Sequence, residues 1–327
     1  RPKKGQPAHP WPDPLHFDLD SIDLQVQDRL RDYDTWGDHP DGTWATTRAG
    51  ALMQLEYFLE HSLADFGPYE DAMPTDTWTV NHSLLSPYLN VGLLHPGEVV
   101  QAAIKRYDEG GIPLSSIEGF VRQVIGWREY INRIYWHFPD TYREENSLGS
   151  DRKLLPLFED PQATQMNCMG SIISDVKKRA WVHHIPRLML VSNLAQLVGI
   201  KPQELLNWMR VSFIDAADWV MVPNVIGMGM HADGGAMMTK PYIAGGAYIS
   251  RMSNYCGSCA FDPKKRTGED ACPFTTLYWD YLDRNSEHFA SNHRMSRPVA
   301  AAAQRDDLEE IRERAKQVIQ SLEVGEL

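Results

Sequence analysis

The chain has 327 residues, 44 Asp plus Glu against 32 Lys plus Arg, a formal net charge of −12 and 43% apolar side chains. This composition belongs to a globular chain that buries one large core or two smaller ones, and it excludes a disordered or fibrous protein. No apolar run reaches the ~20 residues of a membrane span, no leader pattern opens the chain, and four cysteines are too few for a secreted disulfide scaffold. The expectation is an intracellular, cytoplasmic protein with no membrane partner.

Residues 1–40 carry Pro2, Pro7, Pro10, Pro12 and Pro14 among polar residues. They predict an irregular segment lying on a surface. The start at Arg1 rather than Met leads us to expect upstream sequence. After Thr46 and Thr47, plausible caps, the spacing of Leu52, Leu55, Phe58, Leu59 and Leu63 predicts a helix with one apolar face. Ile117, Phe120, Val121, Val124, Ile125, Ile131 and Ile134 predict a long helix, and Ile172, Val176 and Ala180 another. Further helical runs fall near 186–198, 202–214 and 275–290. The segment Arg305 to Leu322 sets Leu308, Ile311, Ala315, Val318, Ile319 and Leu322 against a charged face, as a surface helix does. Alternating strand patterns, a Gly-x-Gly-x-x-Gly run, a P-loop and internal repeats are all missing, so the fold class is all-α. The expected division is 1–40 linker, 41–300 helical domain and 301–327 terminal amphipathic helix. Between 221 and 250 Pro223 and six glycines predict a long irregular stretch, the kind of loop that binds something.

The cysteines form a pattern. Cys256 and Cys259 make a Cys-x-x-Cys pair, Cys272 follows before Pro273, and Cys168 lies upstream. Four thiolates suit zinc or an iron-sulfur cluster, and spacing alone does not separate the two. Buried, unliganded thiols are the plainer alternative.

Three stretches resemble a known family. His82-Ser83-Leu84-Leu85-Ser86-Pro87-Tyr88-Leu89-Asn90, Gly126-Trp127-Arg128-Glu129-Tyr130, and Trp181-Val182-His183-His184-Ile185-Pro186-Arg187 with Phe213-Ile214-Asp215 are similar to flavin-binding segments of photolyases and cryptochromes. With the cysteine spacing they resemble the bacterial iron-sulfur branch, over about residues 10 to 295. The resemblance implies a photolyase-type helical FAD-binding domain with a 4Fe-4S cluster on Cys168, Cys256, Cys259 and Cys272. It also implies that no antenna chromophore is carried on this chain. It places Ser83 and Ser86 at the FAD phosphates, Arg187 and Asp215 as a buried ion pair beside the flavin, and Asn224 near the flavin ring. Trp127 would touch both flavin and substrate, Trp181 and His183 would bind substrate, and Trp208 would pass electrons. Met209 and Asp160 replace aromatic residues of the usual electron-transfer chain.

His184 carries the sharpest expectation. Enzymes for cyclobutane dimers carry Asn there, whereas (6-4) enzymes carry His. A protonated His184, with Tyr242, would donate the proton that (6-4) repair needs. Leu188 stands where animal (6-4) enzymes carry a second His. The resemblance therefore implies light-dependent repair of (6-4) photoproducts. Its partner would be UV-damaged DNA, met through a local basic face of Lys177, Lys178, Arg179, Lys264, Lys265 and Arg266, by a monomer. A cryptochrome-like photoreceptor without repair and an iron-sulfur interaction protein that has lost flavin are the alternatives.

Overall fold

The computed structural model describes residues 9–327; the expectations on Pro2 and Pro7 lie outside them. Among the described residues there is no sheet, only three isolated bridges, so the all-α expectation holds. No helix among them is long and apolar enough to cross a membrane.

The expected linker contains a helix, α1 (Ser21–Leu30). Apolar spacing could not reveal it, because none of its residues is buried. It is started instead by a capping box, in which Asp20 accepts from the Asp23 backbone while the Asp23 carboxylate accepts from the Asp20 backbone. Thr47 caps α2 (Arg48–His61) as anticipated, accepting from Gly50 N. The face of α2 differs from the expectation: Leu52 is 41% exposed, and buried Gln54 donates to the Ser83 carbonyl instead. The helix also stops at Ser62, and Leu63 is buried from the next one, α3 (Leu63–Tyr69). The short α4 (Ser86–Asn90) and the longer α5 (Pro96–Asp108) follow.

The long helix predicted around 117–134 is present but interrupted. α6 (Leu114–Val121) passes through a π-helical turn, Arg122–Trp127, into α7 (Arg128–His137). A π turn inserts one residue and rotates the face of everything after it. Ile125, expected inside, is therefore 55% exposed, while Ile131 and Ile134 return to the core.

α8 (Asn167–Arg179) ends on Ala180 in a left-handed cap, φ 52°. The cap's carbonyl accepts from Ile214 N at 2.9 Å, which draws the segment before Asp215 against the turn that leads to Trp181. α9 (His184–Pro186) runs through a second π segment, Arg187–Ser192, into α10 (Asn193–Val198). α11 (Pro202–Ser212) precedes α12 (Asp218–Val222), which continues into a third π segment, Pro223–Gly229. The first third of the stretch expected to be irregular is thus helical, and the loop proper spans only 230–245. α13 (Gly246–Met252), α14 (Pro273–Arg284), α15 (Ser296–Ala303) and α16 (Leu308–Val324) complete the chain.

The main core gathers α8, α10, α11, α14 and α16, and it includes Leu322 and Leu327 of the terminal segment. A second cluster, around Phe58, Phe66, Leu85, Tyr88 and Phe120, holds α2 to α6 together. A third links Ile131 and Ile134 to Leu188, Met189 and Met228. The principal cavity lies where the second and third clusters meet, with Phe66, Leu85, Phe120, Ile131, Leu188 and Met228 all in its wall.

Candidate functional site

All three π segments deliver residues to that cavity: Gln123, Val124 and Trp127 from the first, Arg187 and Leu188 from the second, Asn224 and Met228 from the third. π turns recur at functional sites because they re-aim side chains without breaking the helix. The cavity measures about 520 Å³, within the usual range for small-molecule and cofactor sites.

A bonded network anchors one wall. Arg187 grips Asp215 in a bidentate pair, Nη1 to Oδ1 at 2.8 Å and Nη2 to Oδ2 at 3.0 Å. Its Nε donates to the Val182 carbonyl at 2.6 Å, and the guanidinium lies 4.2 Å from the Phe213 ring centre. Ser86 Oγ donates to Asp215 Oδ2 at 2.6 Å and accepts from Trp181 Nε1 at 3.4 Å. Asn90 Nδ2 donates to the Asp215 carbonyl at 2.8 Å. The ion pair inferred from the sequence is therefore present, while the Ser86 hydroxyl is committed to the carboxylate rather than turned toward a phosphate. Ser83, also in the wall, keeps its hydroxyl hydrogen available; its Oγ accepts only a long bond, 3.4 Å, from Leu85 N.

Three histidines stand in the wall together. His82 and His183 stack with ring centres 4.2 Å apart and 22° between planes. His82 Nε2 bonds the Glu70 carbonyl at 3.1 Å, and the Nδ1 of His183 is buried without a partner. Burial holds His82 down to about 4 and His183 well below its ordinary value. His184 lines the cavity and is exposed. Burial, and then the Arg187 guanidinium, hold it down to about 4. These surroundings favour the uncharged imidazole, because desolvation and a neighbouring cation both oppose the charged form.

Trp127 is 36% exposed at the cavity, its ring edge-on to Tyr130. Trp181 is buried and packs against Trp44 and Trp78, so less of its ring is open to a ligand than the resemblance suggested. Asn224 and Tyr242 line the cavity, and Asn224 Nδ2 donates to the Val220 carbonyl. Trp208 does not line it; its ring packs edge-on against Phe213, 5.8 Å between ring centres. Sequence reasoning missed His82, Arg128 and Trp219. His82 and Arg128 sat inside the quoted motifs and were passed over. Arg128 stacks 4.9 Å from the Trp219 ring centre, with Nε buried and unpartnered; no spacing signal pointed to Trp219.

The four cysteines converge on a separate, apolar pocket shared with Met166, Ile249, Tyr255, Phe261 and Phe274. None of the four is in a disulfide. Burial raises the Cys168 thiol far above its ordinary value and pushes Cys272 up to about 11. Among the described residues no group of three or more His, Cys, Asp or Glu is set to hold a metal ion, so the thiols line this pocket without closing on one point. The supposed basic face is partly neutralised: Arg179 pairs with Asp175, Lys265 with Asp270 and Arg266 with Asp307.

A helical domain with a π-shaped cavity wall, a bidentate guanidinium–carboxylate pair and a histidine cluster set by the quoted motifs is a flavin-type domain of the photolyase kind. The chain belongs to the photolyase/cryptochrome superfamily. It is 45% identical over 305 residues, 93% of its length, to a protein of Agrobacterium fabrum named (6-4) photolyase, and it spans 59% of that relative. It is 34% identical over 101 residues to an uncharacterised protein of Acanthamoeba polyphaga mimivirus, covering 31% of this chain and 75% of that one. Among solved structures, a bacterial class III photolyase from Agrobacterium tumefaciens aligns with a TM-score of 0.49 at 18% identity, over 94% of this chain and 59% of that one. A Synechocystis cryptochrome aligns with a TM-score of 0.48 at 18% identity, over 57% and 40%. No family model matches the chain. Membership in the superfamily implies FAD as cofactor.

Proposed function

We propose that this chain is the FAD-binding part of an enzyme that repairs (6-4) photoproducts in DNA under light. The observation that carries the reading is the convergence of Trp127, His184, Arg187, Asp215 and Asn224, from four separate stretches of sequence, on one cavity, in a chain 45% identical to a named (6-4) photolyase. The residues present fit a flavin dinucleotide: the cavity walls are aromatic and aliphatic, and buried His183 Nδ1 and Arg128 Nε lack partners, as groups awaiting a polar ligand do.

When bound, FAD supplies the electron that light drives onto the lesion. The chain's own residues do the rest. Arg187 and Asp215, locked to each other and to Ser86 and Asn90, present a fixed wall beside the flavin, and Ser83 offers a hydroxyl for a phosphate. The exposed face of Trp127 receives a base flipped from the duplex, as in other enzymes that extrude their target; Trp181 and His183 close the far side. His184 holds one proton on a ring nitrogen even when neutral. An entering DNA strand brings negative charge and raises its pKa, so His184 becomes an acid in the loaded site rather than the empty one, with Tyr242 as the other hydroxyl donor in the wall. Its proton serves the group that moves between the two bases.

The cysteine pocket is read as the seat of a 4Fe-4S cluster. A cubane holds its thiolates farther apart than a single ion does, which suits thiols that line a pocket without meeting. Lys177, Lys178 and Lys264, beside the paired arginines, are the residues offered to DNA phosphates. The protein is read as a cytoplasmic monomer. A cryptochrome-like photoreceptor is the second reading, favoured by the surroundings of His184, which lower its pKa and disfavour a resident acid. Blue-light repair of a defined (6-4) oligonucleotide by the flavin-loaded protein, with a dark control, tests the proposal. Restored bases only in the light are expected; tight lesion binding with no repair would move the protein to the photoreceptor reading.

A further inference from the structure

Two groups of indoles lie near the cavity. Trp44, Trp78 and Trp181 form one, with ring centres 5.7 to 6.1 Å apart. Trp208 and Trp36 form the other, edge-on at 6.3 Å. The resemblance implies aromatic residues at two positions near Trp208 where this chain has Met209 and Asp160. In three dimensions an indole reaches this region from elsewhere. Trp36, on the segment after α1, donates its Nε1 hydrogen to the carbonyl of Glu159, the neighbour of Asp160, at 2.5 Å. An indole from a distant part of the chain thus stands beside one of those two positions.

We propose that Trp36 is the solvent-side member of a two-indole electron relay with Trp208, feeding the occupant of the main cavity. This rests on the FAD reading given above. Trp208 is buried, Trp36 is partly exposed, and the Phe213 ring touches both Trp208 and the Arg187 guanidinium. Electrostatics select this pair over the other group. The Trp208 and Trp36 N–H groups donate to consecutive backbone carbonyls, Phe158 and Glu159, whose negative ends favour an oxidised, positively charged indole. Among the described residues no cation lies over either ring. Arg179, by contrast, lies 4.9 Å from the Trp78 centre and Arg187 5.9 Å from that of Trp181, and a neighbouring positive charge opposes oxidation of the ring.

The step balances as follows in electrons and protons. One electron leaves Trp208 for photo-excited oxidised FAD, and one electron from Trp36 restores Trp208. Oxidised Trp36 releases its indole proton to water. A soluble thiol then gives Trp36 one electron and one proton and becomes a thiyl radical.

The test uses the FAD-loaded protein and its Trp36→Phe, Trp36→Tyr and Trp181→Phe variants, with flavin content and melting temperature measured for each. Photoreduction is followed by absorbance under blue light with thiol present, and oxidised residues are mapped by peptide mass spectrometry after illumination without thiol. Trp36→Phe is expected to bind FAD and melt like the parent, photoreduce several-fold more slowly, and repair normally once reduced chemically in the dark. Trp36→Tyr, which keeps an oxidisable ring, should recover most of the rate, and oxidation should map to Trp36 in the parent. Parent-like photoreduction by Trp36→Phe would overturn the relay, as would a loss confined to Trp181→Phe with oxidation at Trp44 or Trp78. A parent that photoreduces through Trp36 but repairs nothing would overturn the repair reading and leave the relay standing.

Discussion

The main cavity and the cysteine pocket are built on opposite principles. In the cavity wall the charged groups satisfy one another: Arg187, Asp215, Ser86, Trp181 and Asn90 form a closed set of hydrogen bonds. The wall holds its shape from its own contacts. In the cysteine pocket the functional groups face apolar neighbours, and burial keeps Cys168 and Cys272 protonated. The segments it joins, 253–272 and the start of α8, carry little regular structure of their own apart from that helix. The first site is set without a ligand, whereas the cluster proposed for the second would complete it, because metal binding free energy in such a pocket is folding free energy.

The largest effect should come from the cysteines. Cys256→Ser or Cys272→Ser is expected to give insoluble or FAD-free protein, whereas removing FAD from the parent should leave it folded, as read by circular dichroism and thermal melting. A serine variant that folded normally, kept FAD and lost only repair would give the cluster an electron-transfer role and end the contrast drawn here.

Within the cavity, Asp215→Ala should cost about 3 to 5 kcal/mol in denaturant unfolding, because it strands the largely enclosed Arg187 charge, whose side chain is 15% exposed. A cost below about 1 kcal/mol, the range of exposed pairs, would mean that the wall is not self-supporting.

A smaller effect separates the two sites by pH. His82 and His184 have folded values near 4, below the ordinary histidine value, so the unfolded chain takes up protons first as pH falls. Stability should decline from about pH 6.5 downward. Cys272 has the opposite sign: its folded value near 11 lies above the ordinary thiol value, so cluster-free protein should lose stability as pH rises through 9 toward 11. Melting temperatures across pH check both, with His82→Phe expected to flatten the acid limb. An acid limb unchanged by that substitution would place the sensitivity elsewhere.

Much of this was readable in the sequence, for reasons that also mark where reading stopped. Apolar spacing finds a helix that buries a face, as with Phe58 in α2 or Ile172 and Val176 in α8, but not α1, which buries nothing and rests on a capping box. It also assumes a constant period, so the π turn at 122–127 sent Ile125 to the wrong side. Short motifs located Arg187, Asp215 and His184 because those residues lie in local, contiguous patterns. The charge state of His184 depends on burial and on where Arg187 comes to rest, which no local pattern encodes. The Trp36 to Trp208 contact joins residues distant in sequence, and only the folded chain brings them together.

The central claim is that His184 supplies the proton on which (6-4) repair depends, and a single substitution tests it most directly. His184→Asn protein, loaded with FAD and chemically reduced, should bind a (6-4) oligonucleotide as the parent does. Its light-dependent repair yield should fall by ~100- to 10,000-fold, the range of general-acid contributions. Full (6-4) repair by His184→Asn, measured beside the parent on the same oligonucleotide, would contradict the account.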